Sequence, residues 1–109
     1  MASDYSILGQ SAPAATTNTN VYTVPAATQA VISSIIIANG AATDGTFKMW
    51  ARVAGATVVQ AQVLFDTVTV PANDSIPMTH GITLGAGDII TVYCSSADMS
   101  VNVFGLEIS

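Results

Sequence analysis

Ala30-Val31-Ile32-Ser33-Ser34-Ile35-Ile36-Ile37-Ala38-Asn39-Gly40 is the longest apolar run in the chain, is rich in β-branched residues, and ends on a turn signal, Asn39-Gly40. Side chains of a strand alternate between two faces, so a strand half-exposed to water carries its apolar residues on one face. Here the odd face carries Val31, Ile35 and Ile37, and the even face carries Ile32 and Ile36. The two serines sit together in the middle, one on each face. Such a strand needs cover on both sides. Either one face packs on an opposing sheet while another part of the chain covers the second, or a neighbouring subunit supplies the second cover. Ile36 and Ile37 are therefore candidate partner-binding residues, one on each face.

Outward from this stretch, the chain reads as short strands separated by turn signals at intervals of about eight to twelve residues, the spacing of an all-β sandwich or barrel. Val21–Val24 precedes the turn at Pro25-Ala26-Ala27-Thr28, and Thr46–Val53 follows the loop at 39–45. A tight turn at Ala54-Gly55-Ala56 leads to one or two strands across 58–65 and a further short piece at 66–70. Ser75–Thr79 is a strand whose Pro77 places it at a sheet edge. Gly81–Asp88 is a loop, Ile89–Ser95 a strand, and Met99–Ile108 the last strand. No helical stripe exceeds one turn. The fold class expected is an antiparallel β-sandwich, Ig-like or jelly-roll-like, of about eight strands. It divides as an extended N-terminal arm, residues 1–20, and a sandwich domain, residues 21–109. Ser6-Ile7-Leu8-Gly9 forms at most a short strand in the arm. Residues 10–20 are almost wholly Ser, Ala, Pro, Thr and Asn. The arm reads equally as a disordered leader or as a strand-like extension lying along a neighbour's sheet edge.

With 109 residues, one domain with a real core is the natural count. Charged residues are 8% of the chain, against about 25% in an average soluble domain. So little charge fits a chain whose surface is largely covered in an assembly, or a monomer coated with Thr, Ser, Asn and Ala. The net charge is −5, with Lys48 and Arg52 the only cations. Two cations cannot neutralise a phosphate backbone, so nucleic acid and anionic membrane are excluded as partners. The first residues lack the basic and apolar regions of a signal peptide. No run reaches the ~18 apolar residues of a membrane span.

Candidate chemical sites are sparse. Cys94, the single cysteine, reads as a strand-buried thiol in a protein made in a reducing cytoplasm. His80, the single histidine, lacks a marked nucleophile or orienting carboxylate. Gly85-Ala86-Gly87-Asp88 has glycines but a strand, not a helix, after it, so turn geometry accounts for them. Asp44, Asp66, Asp74, Asp88 and Asp98 are spread over separate turns, without the close spacing of a calcium loop. The sequence therefore predicts no enzyme, no cofactor and no metal. One pattern stands out. In Thr46–Val53, Phe47, Met49, Ala51 and Val53 suit the core, and Lys48, Trp50 and Arg52 share the other face. The only Trp lies between the only two cations. This is either a cationic aromatic docking patch for an acidic partner or a Trp shielded by two aliphatic stems.

Tyr22-Thr23-Val24-Pro25-Ala26, then Ala30-Val31-Ile32-Ser33-Ser34-Ile35, Ala72-Asn73-Asp74, Gly81–Asp88 and Ser96–Ile108 together resemble a group of small virion structural proteins of tailed bacteriophages, including cyanophages. The resemblance spans roughly residues 20 to 108 and is carried by strand–turn phrases. It implies a β-sandwich located in the virion after synthesis in the host cytoplasm. Its partners would be copies of itself, as in a trimer, and the major capsid protein or other virion proteins. A capsid decoration (cement) protein and a small tail, neck or fibre component both fit. A carbohydrate-binding module is the rival from another class, and the low aromatic content of 6% counts against it.

Overall fold

The computed structural model describes residues 3–57, 62–79 and 81–108. Nine strands follow one another: β1 (Ser3–Ser11), β2 (Thr19–Thr23), β3 (Gln29–Asn39), β4 (Gly45–Arg52), β5 (Val63–Val70), β6 (Asp74–Met78), β7 (Ile82–Leu84), β8 (Ile89–Cys94) and β9 (Met99–Ile108). The first sheet has the order β1-β9-β3-β6, with β7 beside β6 on the same edge of β3; the second has the order β2-β8-β4-β5. Every pairing is antiparallel. The protein is an all-β sandwich of two packed sheets, and successive strands cross between them in the order of a jelly roll.

Three elements differ from the sequence reading. Residues expected as an arm instead form β1, paired with β9 from Ser3 to Ser11, followed by a connection in which Thr16 N–H donates to the Cys94 carbonyl. The Ser/Asp/Tyr/Ile composition of β1 has no period-2 signal because its cover comes from a neighbouring strand, not from its own pattern. The pieces expected at 58–65 and 66–70 are one strand, β5, from Val63 onward; residues 58–61 lie outside the described residues. Its continuity was hidden by a bulge, since Phe65 and Val68 face Met49 and Phe47 across an irregularity at Asp66-Thr67. The loop at 81–88 contains the three-residue β7.

β3 solves its two-face problem with a second bulge. Ile32 pairs with Gly105 and Ser34 pairs with Phe104, leaving Ser33 as an extra residue. An extra residue reverses the face of everything beyond it. Ala30 and Ile32 before the bulge, and Ile35 and Ile37 after it, thus all point between the sheets and are fully buried. Val31 and Ile36 face outward and are half-buried. The Ser33 hydroxyl donates to the Phe104 carbonyl at 3.2 Å, which satisfies an acceptor at the disrupted ladder. β1 bulges at Leu8, against the same point of β9. Phe104 sits between the two irregularities, and at Gly105 beside it a Cβ would run into the Val31 carbonyl. The strands approach closely at this point because only a glycine stands there.

The core between the sheets is built from Ile32, Ile35, Ile37, Val101 and Val103 of the first sheet and Phe47, Met49, Ile90, Val92 and Cys94 of the second. The loop after β3 is organised by Asn39, which is 2% exposed. Its amide donates to the carbonyls of Thr43, Val70 and Pro71, and its side-chain oxygen accepts from Ala41 N–H. Thr-Val-Pro-Ala occurs twice, at Thr23–Ala26 and Thr69–Ala72, and the two copies share a structure: Val24 and Val70 are both buried. After each, Pro and Ala lead to a residue with positive φ, Ala27 at 57° and Asn73 at 54°.

Candidate docking faces

On the outer face of the second sheet, β4 brings Lys48, Trp50 and Arg52 together, opposite Tyr93, Thr91 and Ile89 of β8. The alternation is as expected, but the indole is not offered to solvent: Trp50 is 9% exposed. Arg52 is committed to the chain's own loops. Its guanidinium donates to the carbonyls of Ala56 (2.7 Å) and Gly55 (2.9 Å) and to Asn20 Oδ1 (3.0 Å), with a longer bond to Thr91 Oγ1. The Thr91 hydroxyl also donates to Asn20 Oδ1. Lys48 lies 3.8 Å from Asp66 on the bulge of β5. The face is a stitched polar surface over a buried Trp, and its second cationic group, the Lys48 ammonium, is paired with the Asp66 carboxylate.

The outer face of the first sheet is different. From β1, Ile7 is 55% exposed. It pairs with Phe104 of β9, and Leu106, two residues on, pairs with Val31 of β3. Ile36 pairs with Asn102 on one side and Pro77 on the other. Ser34, Ala38, Ser100 and Thr83 complete the same face by register. Among the described side chains, none on this face is charged. The charged side chains described lie on loops, on the second sheet, or at the inward parity of the first sheet: Asp74 starts β6 opposite the buried Asn39, and the Glu107 carboxylate accepts from the Tyr22 hydroxyl at 2.6 Å. Of the five residues proposed as partner-binding from sequence, Ile36 is on this face and Ile37 is in the core, since the bulge at Ser33 fixes which parity points inward. Sequence reasoning missed the face because half of it comes from β9. The signal was there: Phe104 and Leu106 have the opposite parity to Met99, Val101 and Val103.

The remaining candidates resolve into local structure. Cys94 is fully buried and its desolvation pushes the thiol up to about 11; a neutral thiol is a poor nucleophile. In the glycine loop, the Asp88 carboxylate accepts from Gly85 N–H and Ala54 N–H, both at 2.9 Å, while Gly87 N–H donates to the Val24 carbonyl. The loop's amide groups are thus used internally. Asp44 accepts from Ala72 N–H and Asp74 from Ser75 N–H, the expected work of turn carboxylates. Among the described residues no three His, Cys, Asp or Glu side chains converge as a metal group. His80 lies outside the described residues. A shallow depression of about 410 Å³ is lined by Ala38, Asn39, Gly40, Asn73, Asp74 and Ser75, with the Asn39 amide already bonded beneath it. No helix of the described residues is long and apolar enough to cross a membrane. No protein-family model, curated protein or solved structure matches the chain.

Proposed function

We propose that this chain is a non-enzymatic structural protein of a tailed-phage particle, a cement protein that binds the assembled capsid shell and stabilises it. The observation that supports this reading is the charge-free outer face of the β1-β9-β3-β6 sheet, with Ile7, Val31, Ile36, Phe104 and Leu106 at its surface. A face of this kind can be covered without desolvating a charge, which is the expensive part of forming an interface. The polar residues among them, Ser34, Ser100 and Asn102, can supply hydrogen bonds to a partner. A protein that binds the assembled shell and not its free subunits adds its binding energy to shell stability by linkage, and needs no catalytic group. The resemblance of the strand–turn phrases to small tailed-phage virion proteins gives the same reading from the sequence side.

The test is binding of the purified chain to purified phage shells, followed by imaging of the decorated particle. Saturable occupancy at symmetry-related sites, reduced at least tenfold by Ile36→Asp in a chain that still folds, is the expected result. Occupancy that is unchanged by Ile36→Asp and by Phe104→Asp removes the face from the reading. Density at the neck, tail or fibre, with bare shells, moves the protein to the accessory class of virion component.

A further inference from the structure

β1 joins the rest of the sandwich through one strand and one turn. It pairs with β9 alone, and residues 12–14 run on without pairing in either sheet until the chain reverses at Ala15-Thr16. That reversal is strained. Thr16 holds φ at 54°, a left-handed conformation that a β-branched residue adopts only at a cost. The Thr16 and Thr17 hydroxyls both donate to the Ala15 carbonyl, and Thr16 N–H donates to the Cys94 carbonyl. Thr16, Thr17 and Asn18 are exposed, whereas Pro13, on the β1 side of the turn, is buried. The place that β1 fills is shaped for this strand. Its ladder with β9 slips at Leu8. Leu8 packs against the core cluster and lies beside Gly105, and Gly9 comes so near β2 that a Cβ would strike the Val21 carbonyl. An occupant of this place needs a bulged aliphatic residue followed by glycine, which β1 supplies as Leu8-Gly9.

We propose that β1 is an exchangeable strand. The Ala15-Thr16 turn opens, residues 3–14 of each copy move as a unit, and each takes the same place on β9 of a second copy, giving a reciprocal strand-swapped dimer. The site itself names the occupant: the strand that fits it is β1, and a second copy of this chain brings an identical β1. The β1–β9 ladder and the packing of Leu8, Gly9 and Pro13 are remade without change in the dimer, so monomer and dimer differ at the hinge. Opening lets Thr16 return to the extended conformation that β-branched residues favour. Against this stand the entropy of joining two chains and the bond from Thr16 to Cys94. Strained hinge loops are the ones that invite exchange, and concentration sets the partition between the closed chain and the swapped pair. The exchange is a property of the chain alone and goes beyond the binding of a shell.

The experiment refolds an equimolar mixture of two full-length variants, Gln10→Cys and Asn102→Cys, over a concentration series and then applies mild oxidation. Gln10 and Asn102 are partners in the β1–β9 ladder. Paired residues across an antiparallel ladder lie about 4.5–5.5 Å apart at Cα, within disulfide reach, and Cys94 is buried and does not compete. Neither variant has a partner thiol within its own chain, so a disulfide between them marks β1 of one copy on β9 of the other. The expected result is a covalent heterodimer whose yield rises with concentration, and none from the mispaired mixture of Ser6→Cys with Asn102→Cys. Thr16→Gly relieves the turn in the closed chain and should weaken dimerisation at least about tenfold. The double variant Gln10→Cys/Asn102→Cys, refolded dilute, should close its disulfide within one chain, which shows that the ladder forms and the thiols react. If it does so while the mixture gives no heterodimer at any concentration, the proposal is overturned. Crosslinking through Ser6→Cys as readily as through Gln10→Cys, or a dimer indifferent to Thr16→Gly, overturns it too. Swapped dimers that bind no shell leave the exchange standing and remove the cement reading. Shell binding by a chain that never exchanges does the reverse.

Discussion

Placing Asp at position 37 puts a carboxylate among Ile35, Phe47 and Val101, where no described cation can pair with it. Burying an unpaired charge, or neutralising it there, costs several kcal/mol, so Ile37→Asp should leave no cooperative unfolding transition at 25 °C. Ile36→Asp places the same group on the half-buried outer face, with water within reach. Its cost should be below about 1.5 kcal/mol, read as a modest shift of a urea midpoint. A second residue-scale expectation concerns Ala27, which holds φ at 57°, a conformation that costs an L-residue with a Cβ about 1–2 kcal/mol. Asn73 occupies the equivalent place in the sister turn without that mismatch, because Asn tolerates this region. Ala27→Gly should raise stability by about 0.5–1 kcal/mol, measured by the same denaturant titration.

At the level of elements, the bulges decide the structure and were the least legible feature. The strand existence and limits of β3, β4, β8 and β9 follow from β-branched and aromatic runs between turn residues, and all four lie within about two residues of the expectation. A bulge has no such signature. Ser33-Ser34 and Asp66-Thr67 read as breaks in alternation, and only the partner strand's register shows that the chain continues through them. The same holds for the candidate faces. Alternation alone placed Lys48, Trp50 and Arg52 on one side, but the burial of Trp50 and the four bonds of Arg52 depend on loops distant in sequence. β1 carries no pattern at all, and its place is set by β9. Gly105 gives this scale its test. Gly105→Ala pushes a methyl into the Val31 carbonyl, with Leu8 on its other side, where backbone must shift and not a flexible side chain. The expected loss is about 1–3 kcal/mol. Arg52→Lys, which keeps the charge but loses the fork that reaches Gly55, Ala56 and Asn20 together, should cost about 1 kcal/mol and raise hydrogen exchange at 53–56.

At the scale of the whole molecule, the core closes within one chain. The exposed surface of 5418 Å² is close to the roughly 5,700 Å² of a compact monomer of this mass, so the chain closes its core without a neighbour. What a partner would cover is the surface, and the cost of leaving it bare is solubility, not unfolding. Global stability should show an alkaline limit. The Cys94 thiol goes from 9.0 to about 11 on burial. Its pKa is higher in the folded state, so the contribution is complete below pH 9, declines as the unfolded chain ionises, and is gone above pH 11. The two-unit difference corresponds to about 2–3 kcal/mol. Tyr22, whose phenol is raised first by burial and then by its bond to the Glu107 carboxylate, adds to the loss above pH 10. Denaturant midpoints taken across pH 7 to 11 should be flat and then fall, and Cys94→Ala should remove its share of the fall between pH 9 and 11.

The Asn39 clamp also sets a chemical clock. Asn-Gly is the dipeptide most prone to cyclise, because the glycine nitrogen meets little hindrance in attacking the side-chain amide. In the folded chain that nitrogen is occupied, donating to the Asp98 carbonyl at 2.9 Å, and the amide is held by three carbonyls. Every excursion to the unfolded state frees both. Once the ring forms and hydrolyses, an aspartyl or isoaspartyl carboxylate faces carbonyl oxygens that had been accepting hydrogen bonds, and the loop cannot reclose as before. The protein should therefore age by unfolding history and not by calendar time. Chains held in denaturant should accumulate the amide-to-acid mass change at Asn39 and lose refolding yield in step, while chains stored folded should keep both.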